Sequence, residues 1–320
     1  MAFQIGRLGE EDLPELVQFW NAEFGSWRLF RPLTEEWFRM RVMGRAAFDP
    51  AKFYIARADG RIVGLGHAAK ADSTGYLSLL YVAPGQRQQG IGSALFACLQ
   101  PVLESAQDRR AAAVVFDPVY GTDFDPHGSK GLRCRPEWGG PRLSLFGASE
   151  GIGVPTRDLA TINFLLKRGF AMGDPDLSMR VEGMRPGEFE QPENVRARRN
   201  EFTVSVHENR SVWSSSSYQC EIPHRCVQLQ AGEKVVGGLT WFRWDGATAI
   251  LYDFSLIEQV RGLGLGRAVL SHALADMAAA GCTSCELNTG SGRNARAVGI
   301  YRVAGFRVAE AWQAFSGQGT

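Results

Sequence analysis

The strongest chemical signal in the sequence is one glycine-rich turn that occurs twice. Arg87-Gln88-Gln89-Gly90-Ile91-Gly92-Ser93 and Arg261-Gly262-Leu263-Gly264-Leu265-Gly266-Arg267 stand at a constant offset of 174 residues. Each follows an apolar run and opens a segment with apolar residues at helical spacing, 92–103 and 266–279. Backbone N–H groups at a helix N-terminus, with side chains trimmed away at glycines, make a close-fitting cradle for a phosphate or pyrophosphate. One such turn is equally well explained by packing a strand on a helix. Two at a fixed offset weaken that explanation. The dinucleotide fingerprint needs Gly-x-Gly-x-x-Gly after a first strand, and a Walker loop needs Gly-Lys-Ser/Thr; neither spacing is present.

The strands and helices around these turns repeat with them. Residues 60–66, 76–84 and 85–95 match 233–239, 250–256 and 259–269, and each half runs on to a Gly-Phe pair, Gly169-Phe170 and Gly305-Phe306. Asp59-Gly60 between 53–57 and 62–68 reads as a hairpin, as does Gly232 between 226–229 and 235–242. After a closing strand over 177–181, the turn residues at 184–187 divide the chain into domains 1–183 and 184–320. Gly90 to Gly169 is 79 residues and Gly264 to Gly305 is 41, so the first copy carries 38 more. That insertion, 117–155, is rich in Gly, Pro, Arg and aromatic residues and reads as an ordered excursion, either a surface decoration or a substrate-covering or interface segment.

Composition narrows the function classes. With 35 basic and 34 acidic side chains, the chain has no bulk charge to gather nucleic acid or anionic lipid. No apolar run reaches the roughly 20 residues of a bilayer span, and Arg7, Glu10, Glu11 and Asp12 argue against a secretory signal, so the expected setting is cytoplasmic. Six cysteines in 320 residues are too sparse for a disulfide framework. Cys282-Thr-Ser-Cys285 has no second pair and reads as packing, and Cys220, His224 and Cys226 offer only three ligands, so no metal is expected.

Val82-Ala-Pro84 followed by Arg87-Gln-Gln-Gly90-Ile-Gly92, Arg261-Gly-Leu-Gly264-Leu-Gly266, and the later Asn294, Ala297, Tyr301, Gly305 and Phe306 together resemble the GCN5-related N-acetyltransferase (GNAT) family over most of both halves. The resemblance implies an α/β fold of two tandem acyl-CoA N-acyltransferase domains, each a mixed, mostly antiparallel sheet flanked by helices and splayed by a bulge. It implies that acetyl-CoA, as acyl donor and without a metal, rests its pyrophosphate on 87–93 and 261–267. Its pantetheine arm would pair with strand backbone at Leu80, Tyr81 and Val82 and at Phe254, Ser255 and Leu256, with Asn294 beside it.

By the same resemblance Tyr301 is the acid that protonates the departing thiolate; a phenol with a reference pKa of about 10 suits that task. Asp253 is the carboxylate of the C-terminal motif strand and is either the base or a solvated strand residue; family enzymes often place the base where this chain has Ile250. The N-terminal copy departs from the pattern, with Leu165 in the tyrosine position and Asp158 and Thr161 for the Asn and Ala. The expected activity is transfer of an acetyl group to a primary amine of a small molecule or peptide, mainly in the C-terminal domain. The alternative is a non-catalytic acyl-CoA-binding or protein-interaction module.

Overall fold

A computed structural model describes residues 2–318 except 27–31, 40–42, 44–48, 72, 112–152, 190–200, 216–217, 245 and 293. The insertion expected at 117–155 thus lies outside the described residues apart from its last three, and so does Cys134. In chain order the elements are β1 Phe3–Arg7, α1 Leu13–Phe24, α2 Glu35–Phe38, β2 Phe53–Ala58, β3 Arg61–Ala71, β4 Thr74–Val82, α3 Ile91–Glu104, β5 Asp108–Ala111, β6 Val154–Pro155, α4 Leu159–Leu166, β7 Ala171–Met172 and β8 Asp176–Glu182. Then come β9 Thr203–Ser215, β10 Tyr218–Ala231, β11 Lys234–Arg243, β12 Thr248–Leu256, α5 Leu265–Ala279, β13 Ser284–Gly290, α6 Ala295–Val303, β14 Arg307–Gln313 and β15 Phe315–Gln318.

Local chemistry accounts for the boundaries. Asp59 and Gly60 both take positive φ, 50° and 77°, the primed turn whose twist matches its flanking strands, and Ala58 pairs with Arg61 across it. Gly90 and Gly264, left-handed at φ 85° and 79°, are the N-caps of α3 and α5. Both Gly-Phe pairs end a helix in one way. Gly169 and Gly305 take φ 78° and 91°, and the N–H groups of Phe170 and Phe306 reach back to the carbonyls of Leu165 and Tyr301 at 3.2 and 3.0 Å. The left-handed residue lets the turning chain satisfy helix-end carbonyls, and the hydrophobic contact that accompanies such a turn is here Tyr301 on Phe306, 5.8 Å between ring centroids.

The two sheets exchange strands. One has the order β1-β2-β3-β4-β5-β15-β7 and the other β6-β14-β8-β13-β12-β11-β10-β9. The strand expected at 177–181 exists as β8, but it does not close the first sheet. It lies antiparallel between β13 and β14 of the second, while the C-terminal β15 crosses back to lie between β5 and β7 of the first. Side chains follow: Met179 and Val181 belong to the second core, and Phe315 to the first. The second sheet thus holds two strands of the first half, β6 and β8, and the first sheet holds β15 of the second, so a cut at 183/184 divides the chain without separating the sheets.

Candidate active site

Among the described residues both sheets lose their parallel pairing at the same place. Parallel pairing between β4 and β5 joins 74–77 to 108–111, and between β12 and β13 it joins 248–250 to 284–286. Past these points β4 runs on to Val82 and β12 to Leu256, with their other edges still paired to β3 and β11. The ladders carry a bulge there, between Gly238 and Thr240 opposite β12 and between His67 and Ala68 opposite β4. A bulge bends the strand and increases its twist, which turns it away from its parallel neighbour. Residues 251–256 thus present backbone N–H and C=O groups with no partner strand on the β13 side among the described residues.

The glycine turns sit at the ends of these opened strands. In each copy the arginine ties turn to strand: Arg261 Nε donates to the Leu256 carbonyl at 2.9 Å and Arg87 Nε to the Val82 carbonyl at 3.0 Å. A glycine cap supplies no side-chain oxygen, so the first N–H groups of α3 and α5 are left for an external acceptor. Gly262 takes φ 80°, and its counterpart Gln88 takes φ 64°, a costly conformation for a residue with a Cβ. Gly266 serves packing: a Cβ there would lie 3.3 Å from Ile300 Cδ1 and 3.5 Å from both Leu256 Cδ1 and Phe254 Cζ. Cradle and open edge together suit a ligand with a phosphorylated end and an amide-bearing arm, which is the shape of an acyl-CoA.

Not every residue expected at the cofactor site offers a side chain to it. Leu80, Tyr81, Ile91 and Leu265 are buried in the cores, and only their backbone can serve a ligand. Gln88, Gln89, Ser93, Ser255, Arg261 and Arg267 are exposed, and Leu263 and Asn294 partly so. Tyr301 is buried, its ring 6.0 Å from Phe254 on the bulged strand. It is therefore both the packing residue that closes α6 and a phenol beside the opened edge. Asp253 lies in β12 at the bulge.

In the N-terminal copy Leu165 is fully buried in place of Tyr301. Asp158 caps α4 by accepting from Thr161 N at 3.1 Å and pairs with Arg87 at 3.4 Å, setting a carboxylate beside the turn where the C-terminal copy has neutral Asn294. Arg168, stacked on Phe164 and donating to Ser93 Oγ at 2.9 Å, returns positive charge to the first turn of α3. Tyr81 donates to Glu23 at 2.7 Å, and burial together with that carboxylate pushes its phenol well up.

The polar face of β13 lies outside the repeated motifs. Cys285 and Leu287 point into the core beneath α5, so Ser284, Glu286 and Asn288 face the other way. Glu286 is the last β13 residue paired with β12, directly opposite Ile250, and its carboxylate is fully buried 3.4 Å from Arg180. Arg180 arrives on the exchanged strand β8 and also donates to Ser284 Oγ. The period-two alternation of 284–288 was the available signal. Cys282 and Cys285 are buried in the core and in no disulfide, as expected of packing residues, and burial pushes Cys285 up. Among the described residues no group of three His, Cys, Asp or Glu could hold a metal ion, and no helix is long and apolar enough to cross a membrane.

A tandem GNAT protein from the clavulanic acid biosynthesis pathway is similar over 100% of this chain and 99% of its own, at 13% identity and a TM-score of 0.66. A GCN5-related N-acetyltransferase from Sphaerobacter thermophilus matches over 99% and 95%, at 12% identity and a TM-score of 0.60. The glucosamine N-acetyltransferase region of a fungal multi-domain GH3 β-N-acetylglucosaminidase matches at 16% identity and a TM-score of 0.62; 98% of this chain is covered, but it spans only 38% of that longer protein. At these identities the likeness establishes the fold alone. No curated protein matches the chain. The family model for the acetyltransferase (GNAT) family matches twice, over residues 13–118 and 193–306, once in each half and over more than half of the sequence. With a tandem GNAT architecture matched end to end, the chain belongs to the GNAT acetyltransferase family.

Proposed function

We propose that this acyltransferase moves an acetyl group from acetyl-CoA to a primary amine of a small molecule or peptide, and that the chemistry takes place in the C-terminal half, 184–320. The observation that carries this reading is that, among the described residues, this half alone combines a glycine-capped turn, at Gly264, the opened edge of β12 and a phenol, Tyr301, against that edge. In the step itself the amine nitrogen forms a C–N bond to the acyl carbon as the C–S bond breaks. A carboxylate takes the amine proton and Tyr301 Oη gives its proton to the thiolate. Asp253 and Glu286 are the acidic residues of the two strands that border the opening, one on each wall. The N-terminal half, 1–183, has Leu165 where the acid would stand and serves as scaffold for the exchanged strands. A cytoplasmic setting belongs to the same reading.

The test is turnover, followed as CoA thiol release over a panel of amines. Tyr301→Phe is expected to lower kcat by about 100-fold or more while leaving acetyl-CoA affinity within about twofold, as loss of a proton donor should. Asp253→Asn and Glu286→Gln then identify the base, since only loss of the base removes the acid limb of the pH–rate profile. Undiminished kcat in Tyr301→Phe would overturn the assignment.

A further inference from the structure

Asn288 stands two residues beyond the last β12–β13 pair, on the wall of the opening formed by β13. A relay across three strands holds its side chain. Trp312 Nε1 on β14 donates to Ser178 Oγ on β8 at 2.9 Å, and Ser178 Oγ donates to Asn288 Oδ1 at 2.5 Å. The indole can only donate, so the serine hydroxyl accepts from it and keeps its own proton for Asn288. A separation of 2.5 Å is also shorter than an amide N–H···O bond and within the range of O–H···O, which assigns Oδ1 to the serine. Trp312 and Ser178 are buried, so the amide is locked in that orientation.

The consequence falls on the other end of the amide. Asn288 Nδ2 is buried and meets no hydrogen-bond acceptor among the described residues. Buried donors are ordinarily paired, so one that is held in place with no acceptor among the described residues points to an acceptor supplied by a ligand. Asn288 faces away from α5, and hence away from the helix that carries the cofactor turn. What reaches it comes from the side opposite the donor's phosphates.

We propose that Asn288 binds the acceptor substrate, its carboxamide N–H donating to a carbonyl, carboxylate or hydroxyl oxygen carried near the reacting amine. Ser178 and Trp312 are positioning residues that fix the amide. The inference rests on the acyl-transfer reading above and deepens it: the acceptor class is an oxygen-bearing amine rather than a simple alkylamine. It also makes Ser178, from the N-terminal half of the sequence, part of the C-terminal site.

The experiment compares wild type, Asn288→Asp and Ser178→Ala by CoA release with amines matched for size, glycinamide and 2-aminoethanol against n-propylamine, followed by larger amino sugars and amino-terminal peptides. Asn288→Asp preserves shape and replaces the donors by acceptors. It should raise the acceptor KM about 10- to 100-fold, the cost of losing one buried hydrogen bond, while acetyl-CoA affinity and the melting temperature hold. Ser178→Ala, which frees the amide to rotate, should raise the acceptor KM about 3- to 10-fold with kcat little changed. Any substrate lacking the oxygen should be indifferent to both. An unchanged acceptor KM in Asn288→Asp, or equal losses for oxygen-bearing and oxygen-free amines, overturns the assignment while leaving acyl transfer intact. Should Asn288→Asp fail to fold, Ser178→Ala decides by the same criterion. Wild-type protein that binds acetyl-CoA but acetylates no amine removes the underlying reading, and this inference with it.

Discussion

Replacing Phe315 by alanine should destabilise the half of the protein farthest from it in sequence. Phe315 opens β15, pairs with Ala111 on β5 and Met172 on β7, and is buried in the N-terminal core with only 3% of its surface exposed. Truncating a buried phenylalanine costs about 3–5 kcal/mol, from lost transfer free energy and the cavity left behind. Because its contacts are with the first sheet, that cost should fall on β3, β4 and β5 rather than on the covalently adjacent β12–β14. Amide hydrogen exchange read by mass spectrometry resolves the two sheets peptide by peptide. Peptides covering 61–82 and 103–111 should exchange about two to four orders of magnitude faster in Phe315→Ala, and those covering 248–256 and 284–290 much less so. Faster exchange confined to the second sheet, or equal in both, would refute the exchanged-strand account.

Two further outcomes follow from buried charge. Arg180→Met should cost the second sheet about 3 kcal/mol near neutral pH, read as a fall in denaturation midpoint, because it strands the fully buried Glu286 carboxylate without its cation. His67 lies 2% exposed against the Phe53 ring, and burial depresses its imidazole from 6.5 to about 4. Its neutral form is favoured in the fold, so this contribution is complete above pH 6.5. It is lost as pH falls toward 4, amounting to about 3 kcal/mol at most, because the unfolded chain binds the proton first. In His67→Leu the slope of stability against pH between 4 and 6.5 should flatten, and an unchanged slope would contradict the assignment.

The turns were legible because they are governed locally. Only glycine is at ease at φ 80° and 79°, so Gly262 and Gly264 announce the left-handed cap, and Gly305-Phe306 announces the helix end. The arginine of each turn was readable as part of the motif, but not its bond to the strand-end carbonyl, which depends on where the strand stops. Strand exchange was illegible for a plain reason. The alternation of Leu177, Met179 and Val181 with Ser178 and Arg180 states that a strand has one apolar face, and either sheet satisfies that requirement. The same gap hid the polar site. Glu286 and Asn288 alternate visibly with Cys285 and Leu287, yet their partners Arg180 and Ser178 lie more than a hundred residues away in sequence.

A donor site at the C-terminal turn can be read out by calorimetric titration of the full chain with acetyl-CoA, alongside Gly264→Glu and Gly90→Glu. A glutamate at either left-handed cap places a carboxylate where the phosphate would rest. Saturable binding at one site per chain is expected, abolished in Gly264→Glu and retained in Gly90→Glu. Binding that survives Gly264→Glu, or no binding by folded wild-type protein, would contradict it.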